Sequence, residues 1–356
     1  TTAILNIGDI GGSDADTRIG TTNETIVAPG VISAAVGYES DSVVNIGNIE
    51  GTVGGAIART ITAGGVLAAS IGAYSGAITE VANLRGNIMG SANQTITTVG
   101  ALSASIGADT LAQVKIANMG TDGSAASLNQ TITQITPAIA AAIGYDSEAT
   151  ISVGNIDADV AGSVDQTITI GNMISASIGS HTVARGRVGD INANVGGNLK
   201  QTITTGEVLN VAIGANTNAI TDIGVIDAPV TGNVDMNVVI GDSNAVTVGS
   251  HTNAKTMISS VYAPVTGNLE TDIVVGDINT FSIGLGIGSG SDISATTAVG
   301  SIFKPVTNPG KITVHTGSIV SLGFGIDIDL GILGELKIAY DGCEAGVHLG
   351  NQGKPC

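Results

Sequence analysis

QTITIGNMISASIG, residues 166–179, returns 35 residues later as QTITTGEVLNVAIG at 201–214. An earlier copy, QTITTVGALSASIG, stands at 94–107. The closing pair recurs as Val36-Gly37, Ile71-Gly72, Ile106-Gly107, Ile143-Gly144, Ile178-Gly179, Ile213-Gly214, Val248-Gly249 and Ile283-Gly284, and Leu322-Gly323 reads as a ninth copy. The steps are 35, 35, 37, 35, 35, 35, 35 and 39 residues. So regular a period means stacked, near-identical units that each touch only their neighbours.

Two more apolar columns keep the same period. One is Ile10, Ile49, Leu84, Met119, Ile156, Ile191, Ile226, Val261 and Ile302, often preceded by Asn or Asp. The other is Ile26, Ile61, Ile96, Ile132, Ile168, Ile203, Val238 and Ile273, mostly within Gln-Thr-Ile-Thr. Between columns the residues alternate with a period of two, the strand signal. On that basis Leu102, Ala104 and Ile106 are expected inside and Ser103 and Ser105 outside, as are Ile174, Ala176 and Ile178 against Ser175 and Ser177. The glycine after the third column marks a corner whose backbone angles other residues resist.

Column spacings of about 12, 10 and 13 residues leave room for three strands and their turns. The predicted fold is all-β: a three-sided parallel β-solenoid of eight to nine 35-residue rungs, roughly 40 Å long at about 4.8 Å per rung. Stacked antiparallel three-stranded units are the other arrangement considered. Identical residues recurring at one offset favour parallel, in-register stacking. The repeat domain is expected to span 1–296. From there Phe303, Lys304, Pro305 and Pro309 break the pattern, so 297–356 is expected to form a divergent C-terminal β cap or assembly region.

Composition narrows the function. Glycine supplies 52 of 356 residues, aromatics only 2%, and tryptophan none, which suits a narrow stacked core and argues against aromatic platforms for sugars. Twelve basic residues against 30 acidic ones give a formal charge of −18, which argues against phosphate-backbone binding. No run of 18 uninterrupted apolar residues offers a spanning helix. The start at Thr1-Thr2 rather than methionine reads as a mature form whose signal peptide has been removed. Cys343 and Cys356 are expected to form a disulfide, which implies an oxidising compartment.

Chemistry has few candidates. Asp14/Asp16 and Asp327/Asp329 could attract calcium, yet neither pair has the ligand number or glycine spacing of a calcium loop, and no cofactor is expected. His181 and His251 lie two repeats apart, too far for joint zinc ligation, and read as corner residues. Gly284-Leu285-Gly286-Ile287-Gly288-Ser289-Gly290 lacks the lysine and following helix of a phosphate loop and reads as an enlarged corner. No nucleophile, base and acid converge, so no enzymatic activity is expected. Asn23, Asn93 and Asn129 head glycosylation sequons at one repeat offset. Thr60/Thr62, Thr95/Thr97, Thr131/Thr133, Thr167/Thr169 and Thr202/Thr204 form a Thr-x-Thr ladder, which resembles the arrays of β-solenoid ice-binding proteins. The resemblance ends at Asn237/Val239 and Asp272/Val274.

The expected function is therefore a structural subunit of an extracellular filament or cell-surface sheath, a homopolymer joined head to tail. Leu5, Ile7 and Ile10 would offer one end, and Ile319, Leu322, Phe324, Ile326, Ile328 and Leu330 the other. Nucleic acid is not an expected partner. The alternative is a monomeric surface adhesin, and after it an ice-binding rod.

Overall fold

The fold comes from a computed structural model, which describes residues 1–10, 18–121, 123–287, 293–329, 335–339 and 345–351. These residues form a β-solenoid of about eight turns with no helix. Each coil pairs with the next in parallel and in register, as in Val164–Ile170 on Leu199–Thr205 and Met173–Val188 on Val208–Ile223. Both readable columns are literal stacks. Ile26, Ile61, Ile96, Ile132, Ile168, Ile203, Val238 and Ile273 pair in turn, and Val314 continues them. Ile10 through Ile302 are joined by single parallel bridges, except that Ile49 and Leu84 meet in a two-residue strand pair.

A coil has three long strands. In the fifth coil they are Val164–Ile170 and the two arms of Met173–Val188, which folds back at Gly179–His181. Gly144, Gly179, Gly214 and Gly249 hold φ of 155°, 150°, 144° and 153°. A Cβ on any of the last three would overlap the carbonyl oxygen of the corner glycine one coil earlier. Two residues on, Asp109, Asp146, His181, Asn216 and His251 take φ between 47° and 53°. Asn, Asp and His tolerate this left-handed region better than most non-glycine residues, although Glu39 and Tyr74 hold the same place at 48° and 54° in the first two coils.

The fold-back reverses one expectation. Ser103, Ser105, Ser175 and Ser177 are fully buried, whereas Ile106 and Ile178 are 46% and 43% exposed. The third column thus faces out. A three-residue arc brings the two arms close together and leaves room for Ser, Ala and Thr but not for facing isoleucines. Their hydroxyls pair across the gap: Ser75 with Ser105 at 2.8 Å, Ser147 with Ser177 at 2.7 Å and Thr252 with Ser282 at 2.6 Å. The hydrophobic core lies elsewhere, between the inward Ile168 row, the third-strand row at Val153 and Val188, and the Ile156–Ile191 column. A small alanine cluster, Ala184, Ala212, Ala219 and Ala245, fills part of the arch.

Near the C-terminus the parallel stack runs past residue 297: Val306–Thr316 pairs on Val265–Val275, with register shifts, and Ile319–Asp329 on Ile278–Ile287. The ninth corner pair is Phe324-Gly325, opposite Ile283-Gly284, rather than Leu322-Gly323, because a longer turn moves the register by two residues. Gly284–Ile287 are strand residues, and residues 288–290 of the expected enlarged corner lie outside the described residues. The segment Glu335–Ala339 then pairs antiparallel to 325–329 and interrupts the parallel order there.

Two outcomes follow for the arch. Ser177→Ile overfills it and lowers stability by about 1–3 kcal/mol, while Ile178→Ser on the exposed side costs under about 1 kcal/mol, as read by denaturant titration. Thr182 reaches across to a place filled by Ala212 rather than serine, and its hydroxyl has no partner. Ala212→Ser supplies one and raises stability by about 0.5–1.5 kcal/mol in the same titration.

Candidate functional site

Polar ladders run along the axis inside the solenoid. Gln94, Gln130, Gln166 and Gln201 are buried beside the Ile168 column. Each later amide Nε2 donates to the Oε1 of the one before, at 2.7, 2.7 and 2.8 Å, and also to a corner carbonyl: Ala117, Gly154 or Gly189. Both amide hydrogens are used, so the glutamines satisfy themselves and the corner together. The ladder stops where Met236 takes the next place, and Gln201 Oε1 has no partner. At the other end Arg59 replaces glutamine, donating to Ala82 O at 2.5 Å and to Gly47 O. Burial lowers its pKa to about 9, opposed by Glu24 and Asp9.

A second ladder precedes the first column. The side-chain oxygens of Asp9, Asn48, Asn83, Asn118, Asn155 and Asp190 each accept the backbone N–H of the next coil, at 2.7–3.1 Å. The short phrase Asn-Ile was visible in the sequence. Its role was not, since only the stacked coils show which N–H the amide faces.

Charges gather in two places on the outer side of the third strand. Glu80, 8% exposed, bonds Arg85 and lies 3.4 Å from Lys115, and Arg85 also meets Glu50 at 3.1 Å. Further along, Arg187 Nε donates to Asp190 Oδ2 at 3.0 Å. Burial drives Asp190 up to about 8, Asp222 adds to the rise, and Arg187 opposes it. Asp222 is also raised by burial, with Lys255 and Arg187 opposing. Beyond them Tyr262 and Phe303 stack at 4.4 Å. These clusters are ion-paired strips rather than pockets.

The expected site residues separate. Leu5 is 37% exposed on Thr2–Ile7, but Ile7 and Ile10 pack against the core of the first coil. Ile319 also packs inward, while Leu322 and Phe324 continue the outward columns of Phe281 and Ile283. The strand positions Ile326 and Ile328 pair with Ile338 and Leu336. Leu330, Cys343, Cys356, Asp14 and Asp16 lie outside the described residues. Asn23, Asn93 and Asn129 are exposed and lie in one column, with Ala58 between the first two. The Thr-x-Thr ladder stacks in register on the outer side of the Ile168 strand. His181 is an exposed corner residue, with Nδ1 3.3 Å from Asp146 and its ring 5.5 Å from Tyr145; His251 is exposed as well.

Among the described residues no three His, Cys, Asp or Glu side chains come together as a metal site. One cleft of about 440 Å³ crosses four coils beside Met89, Ser124, Asp159 and Asn194, with Asp159 its one carboxylate. Among the described residues no helix is long and apolar enough to cross a membrane. No known protein family, curated protein or solved structure matches the chain.

The ladder makes a pH prediction. Folded Asp190 keeps a proton that the unfolded chain, with its ordinary value of 3.8, releases. The stability this proton confers is full below about pH 4 and is lost as pH rises towards 8. Asp190→Asn, which restores the asparagine used at Asn48, Asn83, Asn118 and Asn155, should raise the Tm by a few degrees at pH 8, on the order of 1 kcal/mol. At pH 5 the gain should shrink. A gain independent of pH would show that Asp190 is ionised throughout.

Proposed function

We propose that the chain is a structural subunit of an extracellular filament or cell-surface sheath that grows head to tail. The observation that carries this reading is the pair of open edges at the two ends of the stack. Thr22–Val36 pairs along one edge with Ile57–Ile71, and Thr2–Ile7 along one edge with Asp41–Ile46. Among the described residues no strand pairs the other edge of either. Ile4, Val27 and Ile32 stand 59%, 70% and 69% exposed at that end. At the far end, among the described residues, Val306–Thr316 also pairs on one side only, as do residues 319–324.

Unpaired strand edges are templates for further pairing. Because every coil runs parallel, the trailing edge of one copy and the leading edge of the next have the polarity needed to continue the stack. A contact between two different ends of the same molecule does not close on itself and builds an open fibre. The repeat supports this role in a second way: its coils already pair edge to edge in parallel register, so a junction can reuse the backbone pairing of the interior. The extracellular setting rests on the expected Cys343–Cys356 bond.

Electron microscopy of the native protein tests the reading. Wild-type protein should form unbranched filaments one solenoid wide or a small multiple of it. Ile4→Lys with Val27→Lys places charge on the open coil at exposed positions, so it should keep the circular dichroism of the wild type and form no filaments. Wild-type protein that remains short rods at high concentration would instead favour the single-rod adhesin.

A further inference from the structure

The outward third column belongs to a larger surface. Every coil turns three residues of its second strand to solvent, such as Leu102, Ala104 and Ile106, and the pattern stacks in register on Ile139, Ala141 and Ile143. From Ile32 to Ile213 these outward positions are all aliphatic, and none as far as Phe324 is charged. The end of the row stays open, with Val36, Ile71, Ile106, Ile143, Ile178 and Ile213 between 68% and 39% exposed. Six coils at about 4.8 Å and five residues at about 3.3 Å give a flat patch on the order of 500 Å². That is at the upper end of what a monomer exposes.

We propose that this face is a lateral interface, closed by the same face of a second copy of this chain. Area is the first argument. Two copies together would bury about 1,000 Å² by footprint, the threshold for a specific interface, and the exposed Tyr38, Tyr74 and Tyr145 on the adjoining corners form a rim that enlarges it. Shape is the second. Over the first five of these coils two ridges, isoleucine or leucine except for Val36, flank a valley of Ala34, Ala69, Ala104, Ala141 and Ala176, and a ridge of one copy fits the valley of another. Only a surface with the same rise per coil keeps that fit along its whole length.

Charge is the third argument. The molecule carries −18, so copies repel one another, yet this face contributes none of it and is where two copies approach at least electrostatic cost. The opposite choice, an anionic lipid surface, would need basic flanks. The adjoining corners instead carry Glu39, Asp109 and Asp146. The pairing is independent of end-to-end growth: a rod that never polymerises axially would still pair here.

The Ile4→Lys/Val27→Lys protein, with its ends blunted, is the starting material. Sedimentation equilibrium should give twice the chain mass. Adding Ile106→Glu, Ile143→Glu and Ile178→Glu should weaken the dimer at least about 100-fold, by like charge opposed across the contact, while the circular dichroism of the folded solenoid is retained. Thr131→Glu and Thr167→Glu, on the threonine face, should leave the dimer intact. A monomer at about 100 μM, a dimer that survives the three glutamates, or adsorption to phosphatidylcholine vesicles in place of dimerisation would each overturn the proposal. If wild-type protein forms dimers but no filaments, the axial reading fails and this one stands.

Discussion

Everything in this molecule depends on the demand that each coil lie directly on the one before it at the spacing of a hydrogen-bonded sheet. At the corner the demand is steric. The carbonyl of Gly179 occupies the volume that a side chain on Gly214 would fill, and Gly214 imposes the same condition on Gly249. A single larger residue there would lift one coil off the next and break hydrogen bonds on all sides. In the interior the demand is chemical, because any group that stacks must be able to partner itself. Aliphatic side chains do so by contact. Glutamine and asparagine do so because each amide has both a donor and an acceptor. Carboxylates do not, and Asp190 in an asparagine position shows the strain as a raised pKa.

That distinction explains how much could be read from the chain. The Ile168 and Ile156 columns were legible because large aliphatic residues at constant spacing have one sensible place, the core. Alternation also separated Ile178 from Ser177 correctly but could not say which side was inward. The usual preference for burying the larger residue pointed the wrong way. In a narrow arch, paired hydroxyls fit where isoleucines do not, and only the closeness of Ser147 to Ser177 reveals it. A sharper signal lay in the sequence: Ser, Ala and Thr hold nearly all of the two alternate positions nearest the corner on both arms, an unusual absence of bulk if one of them faced a wide core.

The polar ladders were present as phrases, Gln-Thr-Ile-Thr and Asn-Ile, without a visible purpose, because partners 35 residues apart are invisible to local reasoning. The displaced ninth corner has a similar origin. Counting from Ile283 favours the nearest apolar-glycine pair, Leu322-Gly323, whereas the sheet register selects Phe324-Gly325 and hides two residues in the turn. Of the expected assembly residues, those whose side chains turned inward, Ile7, Ile10 and Ile319, were recognisable as apolar but not as already committed to their own coil.

The ladders do not run the whole length. The glutamine row ends at Met236 and the asparagine row hands its last acceptor to Val225, so both internal seams stop at about the same coil. Beyond that point the backbone stitching moves to exposed corners, where Asn198 and Asn233 accept from Asn233 and Asn268 in one seam and Asp242 and Asp277 accept from Asp277 and Ser318 in another. In a linear array, where each unit is held only by its neighbours, the weakest junctions set where separation begins. Under tension along its axis, such a rod has a built-in fuse. Coils after the seventh would peel away while the stitched coils before them still hold, and a strand that gives way at one end in small steps dissipates force that would snap a uniformly stitched one.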